Sequence, residues 1–455
     1  MNLNFNQRII IFIVAFAFFI ELLDTTIINT SIPQIAQTLN VPTLTIKIAI
    51  TSYLIALAIF IPISGWLADK FGTRNIFQIA VFIFTASSLL CGFANSIYEL
   101  ALYRFFQGIG GALMIPIGRL IVLQAFANTD LLKIMSYISI LALLGPILGP
   151  ILGGYITTYY SWHWIFFINI PIGIVEFFLA YKFIDNQTVT NVKKFDLKGF
   201  ILISLGLVLI SFSAENMSEK FLPQFFIWLF FISGCSCIFY FVLRYKNNSQ
   251  AILNLSLFKN KTFLIGNIHL LITIFTAGGV SFILPILLQT QFHLNPLYSG
   301  IFSLPIAIGA LIVRFFIPAI VRLLGYKKLL LINSILLSCS LFMFSSISNL
   351  NYLTLSIIGI LYGIFYTIQI SCSVFIGYLS ITPADKSSAT TLQSTNQQFA
   401  MSICICINAF LVYIFSSSAG ENFIIRNNIE AFQVTFLIMA TLSLLNIITA
   451  RKLEI

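Results

Sequence analysis

Two carboxylates interrupt the first long apolar stretch of the chain, IIIFIVAFAFFIELLDTTIINTSIP, which covers residues 9–33. Glu21 and Asp24 stand in its middle, and an ionisable group at a bilayer centre costs about 2.5–3.5 kcal/mol. Glu21, Thr25 and Asn29 recur at i, i+4 and i+8, and Asp24 lies about 60° from Glu21 around a helix. The four side chains therefore form one polar arc that faces protein or water, and its acids are candidates for proton chemistry.

An arginine in a later apolar stretch matches these acids in depth. In LYRFFQGIGGALMIPIGRLIV, Arg104 and Gln107 share a helix face with two glycines. At 1.5 Å per residue, Asp24 lies about 22 Å from the inner end of its span, and Arg104 lies about 10 Å from the outer end of its antiparallel span. Two interpretations remain open. The residues form a structural ion pair, or they form a proton-coupling centre in which the carboxylate binds and releases a proton as its exposure changes.

Composition assigns the chain to the membrane. Of 455 residues, 59% are hydrophobic and 8% are charged, whereas soluble domains carry about 25% charged residues. The net charge of +10 is not gathered in a soluble domain, so we expect no nucleic-acid partner. There is no P-loop and no Ser/His/Asp constellation. We therefore predict neither an enzyme nor an ATP-driven pump, with no catalytic residue and no cofactor other than protons as the coupling ion.

A metal site is also not expected. The seven cysteines lie in apolar segments, and four of them form the C-x-C pairs 235/237 and 404/406. Residues two apart on a helix point about 200° apart, so these pairs do not converge on one ion.

Windows of about 20 apolar residues, enough to cross a hydrocarbon core of about 30 Å, predict fourteen transmembrane helices in groups of six, two and six. The predicted spans lie near 9–31, 47–65, 75–95, 97–121, 134–158, 163–183, 199–214, 223–243, 262–288, 297–320, 328–347, 352–377, 391–416 and 431–450. The predicted fold class is thus an all-α polytopic membrane protein. Residues 1–185 form one six-helix half, 186–250 two additional helices with linkers, and 251–455 the other half.

Basic residues orient these spans. Of the 24 Lys and Arg, 18 fall in the predicted inner segments and three in the outer ones, which by the positive-inside rule indicates cytoplasmic N- and C-termini. The turns GWLADKFGTRNIF and PAIVRLLGYKKLL follow spans two and ten, and they align Gly72 with Gly325. Two such halves with a site between them are typical of a transporter that works by alternating access.

Two further patterns carry open alternatives. In LALLGPILGPILGGYI, Gly145, Gly149 and Gly153 form a small-residue stripe that admits another helix closely. The stripe is either tight packing or a seam that opens and closes during transport. Asp69, in the turn after span two, is expected to cap the start of span three. Glu176 in span six and Arg314 in span ten either line the path or satisfy a neighbour.

Five stretches, in the correct order over residues 22–173, resemble one family. They are LLDTTIINTSIP, GWLADKFGTR, LYRFFQGIGGA, GPILGPILGG and SWHWIFFINIPIG. They resemble the motifs of the fourteen-helix drug:proton antiporters (EmrB/QacA-type) of the major facilitator superfamily. Within that family, SGWLADKFGTRNIF and IPIGRLIV look most similar to the MdtD-like multidrug transporters.

The resemblance implies roles for individual residues. It makes Asp24, with Glu21 beside it, the first-helix acid and Arg104 the arginine linked to proton transfer. The implied cytoplasmic gate comprises Gly65, Asp69, Gly72 and Arg74, the antiporter seam Gly145, Gly149, Pro150, Gly153 and Gly154, and the cavity lining Thr25, Asn29, Gln107, Glu176 and Arg314. The chain departs from the family at His163, where many members have arginine, and at Arg322, which stands opposite Asp69.

The predicted function is proton-driven efflux of small amphipathic or toxic compounds across the bacterial inner membrane. We expect a monomer in the lipid bilayer that binds a small-molecule substrate, with a periplasmic adaptor as a further candidate partner. Export of one endogenous metabolite or metal chelate is an alternative, and proton-coupled uptake is another. A non-transporting receptor would require a sizeable soluble domain, which the composition does not show.

Overall fold

Helices are the only regular elements among the residues that the computed structural model describes, which are 4–126, 131–186, 195–219, 223–245, 253–348, 351–379, 381, 386–417 and 429–453. Apolar side chains offer the backbone no alternative hydrogen-bond partners, and a helix satisfies its own amides and carbonyls in a medium without water. The predicted all-α fold class is confirmed.

The first half contains nine α-helices, some of which continue one another through short 3₁₀ turns. They are α1 (Phe5–Ile27), α2 (Ile32–Thr38), α3 (Lys47–Phe60), α4 (Ser64–Phe71), α5 (Thr73–Cys91), α6 (Ile97–Ala125), α7 (Leu131–Tyr159), α8 (Trp164–Phe167) and α9 (Asn169–Phe183). The 3₁₀ turns are Ile28–Ser31, Thr43–Ile46 and Ile61–Ile63.

An inserted helix pair and the second half follow. The pair is α10 (Leu197–Glu219) and α11 (Gln224–Tyr245). After the 3₁₀ turn Leu255–Lys259, the second half contains α12 (Lys261–Ala277), α13 (Val280–Thr290), α14 (Pro296–Ser345), α15 (Tyr352–Leu379), α16 (Lys386–Ser417), α17 (Ile429–Ser443) and α18 (Leu445–Arg451).

Twelve segments of the described residues are long and apolar enough to cross a membrane. One of them, α14, is 50 residues long and is interrupted by the non-helical residue Gly325. Helix α7, with 29 residues, is a further long helix outside those twelve. The count of fourteen stays a prediction, as do the boundaries of the three predicted segments. Residues 187–194 and 246–252, at two of those boundaries, lie outside the described residues.

Gly72 and Gly325, which are aligned in the internal repeat, each form a sharp turn. Gly72 has φ 91° and ψ 146°, and Gly325 has φ 69° and ψ 159°, a backbone conformation that residues with a Cβ rarely adopt. A Cβ at Gly72 would also collide with the side chain of Asn186, whereas a Cβ at Gly325 would meet nothing within 4 Å. The weak sequence repeat therefore has a counterpart in backbone geometry.

Both chain ends lie on one side of the bundle, which we call the termini side. The Phe5 ring, at the start of α1, meets the Phe183 ring, at the end of α9, with centroids 6.3 Å apart. Lys327, just after the Gly325 turn, donates from Nζ to the Leu453 carbonyl at 2.7 Å. The opposite end of the bundle, where α1 finishes, is called the far side.

The two halves meet on the far side. Gln289 at the end of α13 donates to the Thr30 carbonyl at 2.8 Å, and the backbone N–H of Leu297 donates to the Thr158 hydroxyl at 3.1 Å. On the termini side, a Cβ at Gly65 would meet nothing within 4 Å. The described residues thus join the halves on the far side, and Gly65, in α4, has open space beside it.

Hydrogen bonds join the inserted helix pair to the first half. Lys47, fully buried at the start of α3, donates to the Glu215 carbonyl of α10 at 3.1 Å, and the Thr51 hydroxyl donates to the Glu215 carboxylate. Helix α10 also shares a buried apolar cluster with α16 of the second half, through Ile203 and Leu392. The insertion therefore packs beside the α3–α16 contact between the halves.

Candidate functional site

A buried carboxylate is the centre of a hydrogen-bond network in the first half. Asp24 is 1% exposed. Its Oδ2 accepts from the Arg104 guanidinium, and its Oδ1 accepts from Gln107 at 2.9 Å and from Asn169 at 3.1 Å. Charged and neutral donors together compensate for the desolvation of the carboxylate.

Further contacts hold the partners of Asp24 in place. Gln107 accepts from Arg104 at 2.7 Å and donates to the Ser88 hydroxyl at 2.7 Å. The Arg104 guanidinium lies over the Tyr53 ring, 4.4 Å from its centroid, a cation–π arrangement. The network thus joins side chains from α1, α3, α5, α6 and α9.

Glycines on α6 allow this convergence. A Cβ at Gly108 would come within 2.6 Å of the Tyr53 carbonyl oxygen, and a Cβ at Gly111 within 2.7 Å of the Tyr53 hydroxyl. Helix α6 therefore packs against α3 at a distance that only small residues permit. This close packing of α6 against α3 places the Arg104 guanidinium over the Tyr53 ring.

The structure brings Asp24, Arg104 and Gln107 of the sequence-derived candidates together, and it adds Tyr53, Ser88 and Asn169. The available signal for Asn169 was its spacing from Glu176, because an i, i+7 pair of polar residues shares a helix face. Serine and tyrosine are common in membrane spans, so Ser88 and Tyr53 carried no comparable signal.

The other members of the predicted arc on α1 do not join the network. Glu21 is 5% exposed, and one of its carboxylate oxygens has no hydrogen-bond partner. The Thr25 hydroxyl donates to the Leu22 carbonyl of its own helix at 2.8 Å. Asn29 lies in the 3₁₀ turn Ile28–Ser31, whose tighter winding ends the α-helical periodicity at Ile27.

The small-residue stripe of α7 contacts helices of both halves. A Cβ at Gly145 would come within 2.8 Å of the Leu23 amide, one at Gly149 within 2.9 Å of the Thr26 Cβ, and one at Gly153 within 2.6 Å of the Thr30 hydroxyl. These three glycines therefore pack α7 against the rod formed by α1 and its 3₁₀ extension.

Two other residues of the predicted antiporter seam, Pro150 and Gly154, contact the second half. A Cβ at Gly154 would come within 2.8 Å of the Leu297 Cα, and one at Gly300 of α14 within 2.8 Å of the Pro150 carbonyl carbon. The contact between the halves on this edge is therefore made by backbone against backbone at Pro150 and Gly154.

The predicted gate residues are dispersed around the Gly72 turn. Asp69 is exposed and forms no hydrogen bond to any described residue. Among the described residues no side-chain hydrogen bond caps the start of α5, so the predicted cap by Asp69 is absent, and its interaction with the helix dipole stays a prediction. The Arg74 guanidinium lies over the Tyr181 ring at 5.6 Å.

Asn186, which the sequence did not single out, bridges both sides of the Gly72 turn. Its side chain accepts from the Asn75 backbone amide at 3.3 Å and donates to the Phe71 carbonyl at 3.4 Å. The turn is thus tied to the end of α9.

Three polar outliers occupy separate environments. Glu176 is buried on α9, and neither carboxylate oxygen has a hydrogen-bond partner. Arg314 is exposed on α14 and forms no hydrogen bond to any described residue. His163, in the loop before α8, stacks on Trp162 with centroids 3.8 Å apart and shares a 2.7 Å hydrogen bond with Ser161. Burial lowers the pKa of His163.

The second half contains a polar network of its own. His269 on α12 bonds through Nδ1 to the Thr449 hydroxyl at 2.6 Å, and through Nε2 to the Gln369 amide at 2.7 Å. Gln369 also donates to Ser334 at 2.9 Å and accepts from Asn333 at 2.5 Å. This network links α12, α14, α15 and α18. It consists of uncharged polar side chains and one histidine.

Two helical halves around buried polar networks are the architecture of a secondary transporter, and comparison with known proteins gives the family. The chain belongs to the Major Facilitator Superfamily, whose family model matches residues 14–405. It is therefore a multi-pass membrane transporter. The recognition of this superfamily from five sequence motifs is confirmed.

Relatives of known name sharpen the comparison. The chain is 32% identical over 411 residues to MdtD of Salmonella dublin, provisionally named a multidrug resistance protein, covering 90% of this chain and 87% of the relative. It is 33% identical over 413 residues to the MdtD protein of Escherichia coli O17:K52:H18, covering 90% and 88%. The resemblance to MdtD-like proteins is confirmed.

Solved structures share the fold. The nucleoside transporter NupG superposes with a TM-score of 0.68 at 15% identity, covering 98% of this chain and 100% of NupG. The peptide transporter POT in complex with sulfate gives a TM-score of 0.70 at 16% identity, covering 97% and 93%. At these identities the likeness shows the fold alone.

Proposed function

We propose that the protein is a proton-driven exporter of small amphipathic compounds, with the Asp24–Arg104 pair as its proton-coupling centre. The observation that carries this proposal is a carboxylate buried to 1% exposure whose charge is balanced by one guanidinium. A proton on Asp24 removes its attraction for Arg104. The same arrangement therefore has two states that differ by one proton.

The neighbours of Asp24 suit such an exchange. The two amide donors, Gln107 and Asn169, donate to Oδ1. Oδ2 is therefore the oxygen that accepts from Arg104 in the ionised state and binds the proton in the protonated state. After protonation, Arg104 retains its hydrogen bond to Gln107 and its position over Tyr53. The guanidinium is thus not left unpartnered, which lowers the cost of the protonated state.

The basic residues of the sequence orient the proposed cycle. We propose that the termini side is cytoplasmic and that the protein accepts substrate from that side. Protons then enter from the far side after the halves rock. Each proton releases about 2.3 kcal/mol per 100 mV of membrane potential, which supports modest uphill export.

The remaining parts of the proposal follow from the family. We propose a monomer in the bacterial inner membrane, with efflux as the direction because the MdtD relatives are named for multidrug resistance. The glycine contacts at Pro150 and Gly154 provide a seam between the halves, and Glu21 lies one turn from Asp24 as a second acid. A periplasmic adaptor and export of a single endogenous metabolite or metal chelate stay predictions.

Proteoliposomes test the proposal directly. Purified protein is reconstituted with a pH-sensitive dye inside the vesicles, and proton flux is recorded as each compound of an amphipathic panel is added. We expect substrate-dependent proton flux that Asp24→Asn abolishes. The matched control is Asp185→Asn, which neutralises an exposed acid beyond the end of α9 and should retain the flux. A folded Asp24→Asn protein that still pumps substrate against its gradient would refute the coupling role.

A further inference from the structure

The far-side end of α3 carries a buried lysine that meets the inserted helix pair. Lys47 is the first residue of α3, and its side chain is fully buried. Its Nζ donates to the Glu215 backbone carbonyl of α10 at 3.1 Å, and the Thr51 hydroxyl, one turn further along α3, donates to the Glu215 carboxylate. A buried ammonium is costly unless it is paired and hydrogen-bonded. This contact with α10 therefore compensates for the burial of Lys47.

The same two helices remain side by side towards the termini side. The Phe60 ring, at the end of α3, meets the Phe200 ring, near the start of α10, with centroids 6.1 Å apart. At 1.5 Å per residue, this contact lies about 20 Å from the Lys47–Glu215 contact along each helix. Helix α10 is thus an antiparallel neighbour of α3 that contacts the first half at both of its ends.

Helix α16 of the second half also borders α10. The Cys406 thiol of α16 interacts electrostatically with both Lys47 and Glu215, so α16 lies next to their contact. Nearer the termini side, Ile203 of α10 and Leu392 of α16 share a buried apolar cluster. The contacts of α10 with the two halves therefore differ in chemistry. Those with α3 include a buried charge and hydrogen bonds, whereas those with α16 involve a thiol and apolar side chains.

This difference determines which contact of α10 changes more easily when the halves rock. Separating Lys47 from Glu215 would leave a buried ammonium without its acceptor and counter-charge, which is strongly unfavourable. Apolar contacts between helices have no hydrophobic driving force in lipid, so the α10–α16 contact can rearrange without leaving a polar group unpaired.

We propose that Lys47 and Glu215 are positioning residues that bind the insertion to the first half, so that α10 moves with α3 while α16 slides along it. The insertion then covers the α3–α16 edge of the bundle throughout the cycle. This inference rests on the rocking of the two halves in the proposed function, but on neither proton coupling nor the direction of transport.

Double electron–electron resonance in lipid nanodiscs tests the proposal without substrate or a proton gradient. Spin labels are attached through Phe212→Cys on α10 together with either Phe82→Cys on α5 or Phe342→Cys on α14, all at exposed positions. The accessible native thiols are first replaced by alanine at Cys235, Cys237 and Cys339. The width of each distance distribution reports how far the two labelled helices move relative to each other. We expect a narrow α10–α5 distribution and a wider α10–α14 distribution.

Substitutions of the two residues separate a positioning role from simple packing. Lys47→Met removes the charge and should broaden the α10–α5 distribution to the width of the α10–α14 distribution, whereas Lys47→Arg keeps a charged donor and should leave it narrow. Glu215→Gln should broaden it as well, and it tests the contact where Lys47→Met fails to fold. Lys182→Met, at an exposed lysine near the end of α9, is the matched control and should change neither distribution.

Three results would overturn the proposal. They are an α10–α5 distribution at least as wide as the α10–α14 distribution, a width that neither Lys47→Met nor Glu215→Gln changes, and a Lys47→Arg protein as broad as Lys47→Met. Loss of proton-coupled export as the function would instead appear in the proteoliposome assay and leave these widths unaffected, so the two failures are distinguishable.

Discussion

Removing Arg104 should destabilise the protein more than removing the charge of Asp24, and removing both should cost less than the sum. In Arg104→Gln, the Asp24 carboxylate stays buried and keeps only the neutral donors Gln107 and Asn169. Breaking a buried ion pair by deleting one partner typically costs about 3–5 kcal/mol. We therefore expect a loss of about 3–5 kcal/mol in the free energy of unfolding.

Asp24→Asn leaves a milder defect. The asparagine oxygen still accepts from Arg104, whose guanidinium keeps its bond to Gln107 and its contact with the Tyr53 ring. The expected loss is about 1.5–3 kcal/mol, the value of a hydrogen bond to a charged group. The double variant contains no unpaired charge, so it should recover at least about 2 kcal/mol relative to the sum of the single losses.

Unfolding of the purified protein by titration with sodium dodecyl sulfate in mild detergent measures these differences as a double-mutant cycle. Arg322→Gln, at an exposed position of α14, is the control for loss of an arginine and should change little. Losses that add to within about 0.5 kcal/mol would show that the two residues are not energetically coupled, and the ion-pair argument would fail.

Five other substitutions have expected outcomes. Gly149→Val should lower the thermal stability in detergent by separating α7 from α1, since a Cβ there would lie 2.9 Å from a side-chain carbon, whereas Gly65→Ala should not change it. Tyr53→Phe keeps the ring over Arg104 and removes a buried hydroxyl without a partner, so stability should hold, while Tyr53→Leu should lose about 1–2 kcal/mol in SDS titration. Burial lowers the pKa of His163, so the folded state favours the neutral form of this side chain. Its contribution is present above about pH 6.5 and falls as the pH drops, and His163→Gln should flatten that part of a stability–pH curve.

The sequence predicts the helical fold and the central ion pair for a physical reason. Ionisable residues are rare in membrane spans because they are expensive, so Asp24 and Arg104 stand out in any apolar window and their depths follow from helix rise alone. The family motifs are recognisable for the same reason, because they place glycine, proline and charged residues at fixed spacing within apolar segments.

The parts that sequence reasoning missed depend on which helices are neighbours. The glycine stripe of α7 indicated a close approach but not its partner, and the structure assigns most of it to α1 and only its Pro150 and Gly154 end to the second half. Lys47, at the start of predicted span two, is buried at the start of α3 and donates to α10 of the insertion. Nothing in the local sequence encodes that contact.

The two polar networks differ in a way that locates the proposed switch in the first half. Thr449 donates its own proton to the Asn446 carbonyl at 2.9 Å, so its oxygen accepts from Nδ1–H of His269, while the Gln369 amide donates to Nε2. His269 is thereby fixed as a neutral imidazole. The second network contains no ionic bond, and a proton arriving there would face the Gln369 donor.

The Asp24 network does contain an ionic bond, and it joins α1 to α6. Protonation of Asp24 would weaken the bond between those two helices and leave the contacts of α12, α14, α15 and α18 unchanged. A proton therefore alters the packing of one half against a second half that keeps its shape. That difference is what a rocking motion about the far-side contacts at Thr30 and Gln289 requires, so in the proposed mechanism a single titrating pair suffices for coupling.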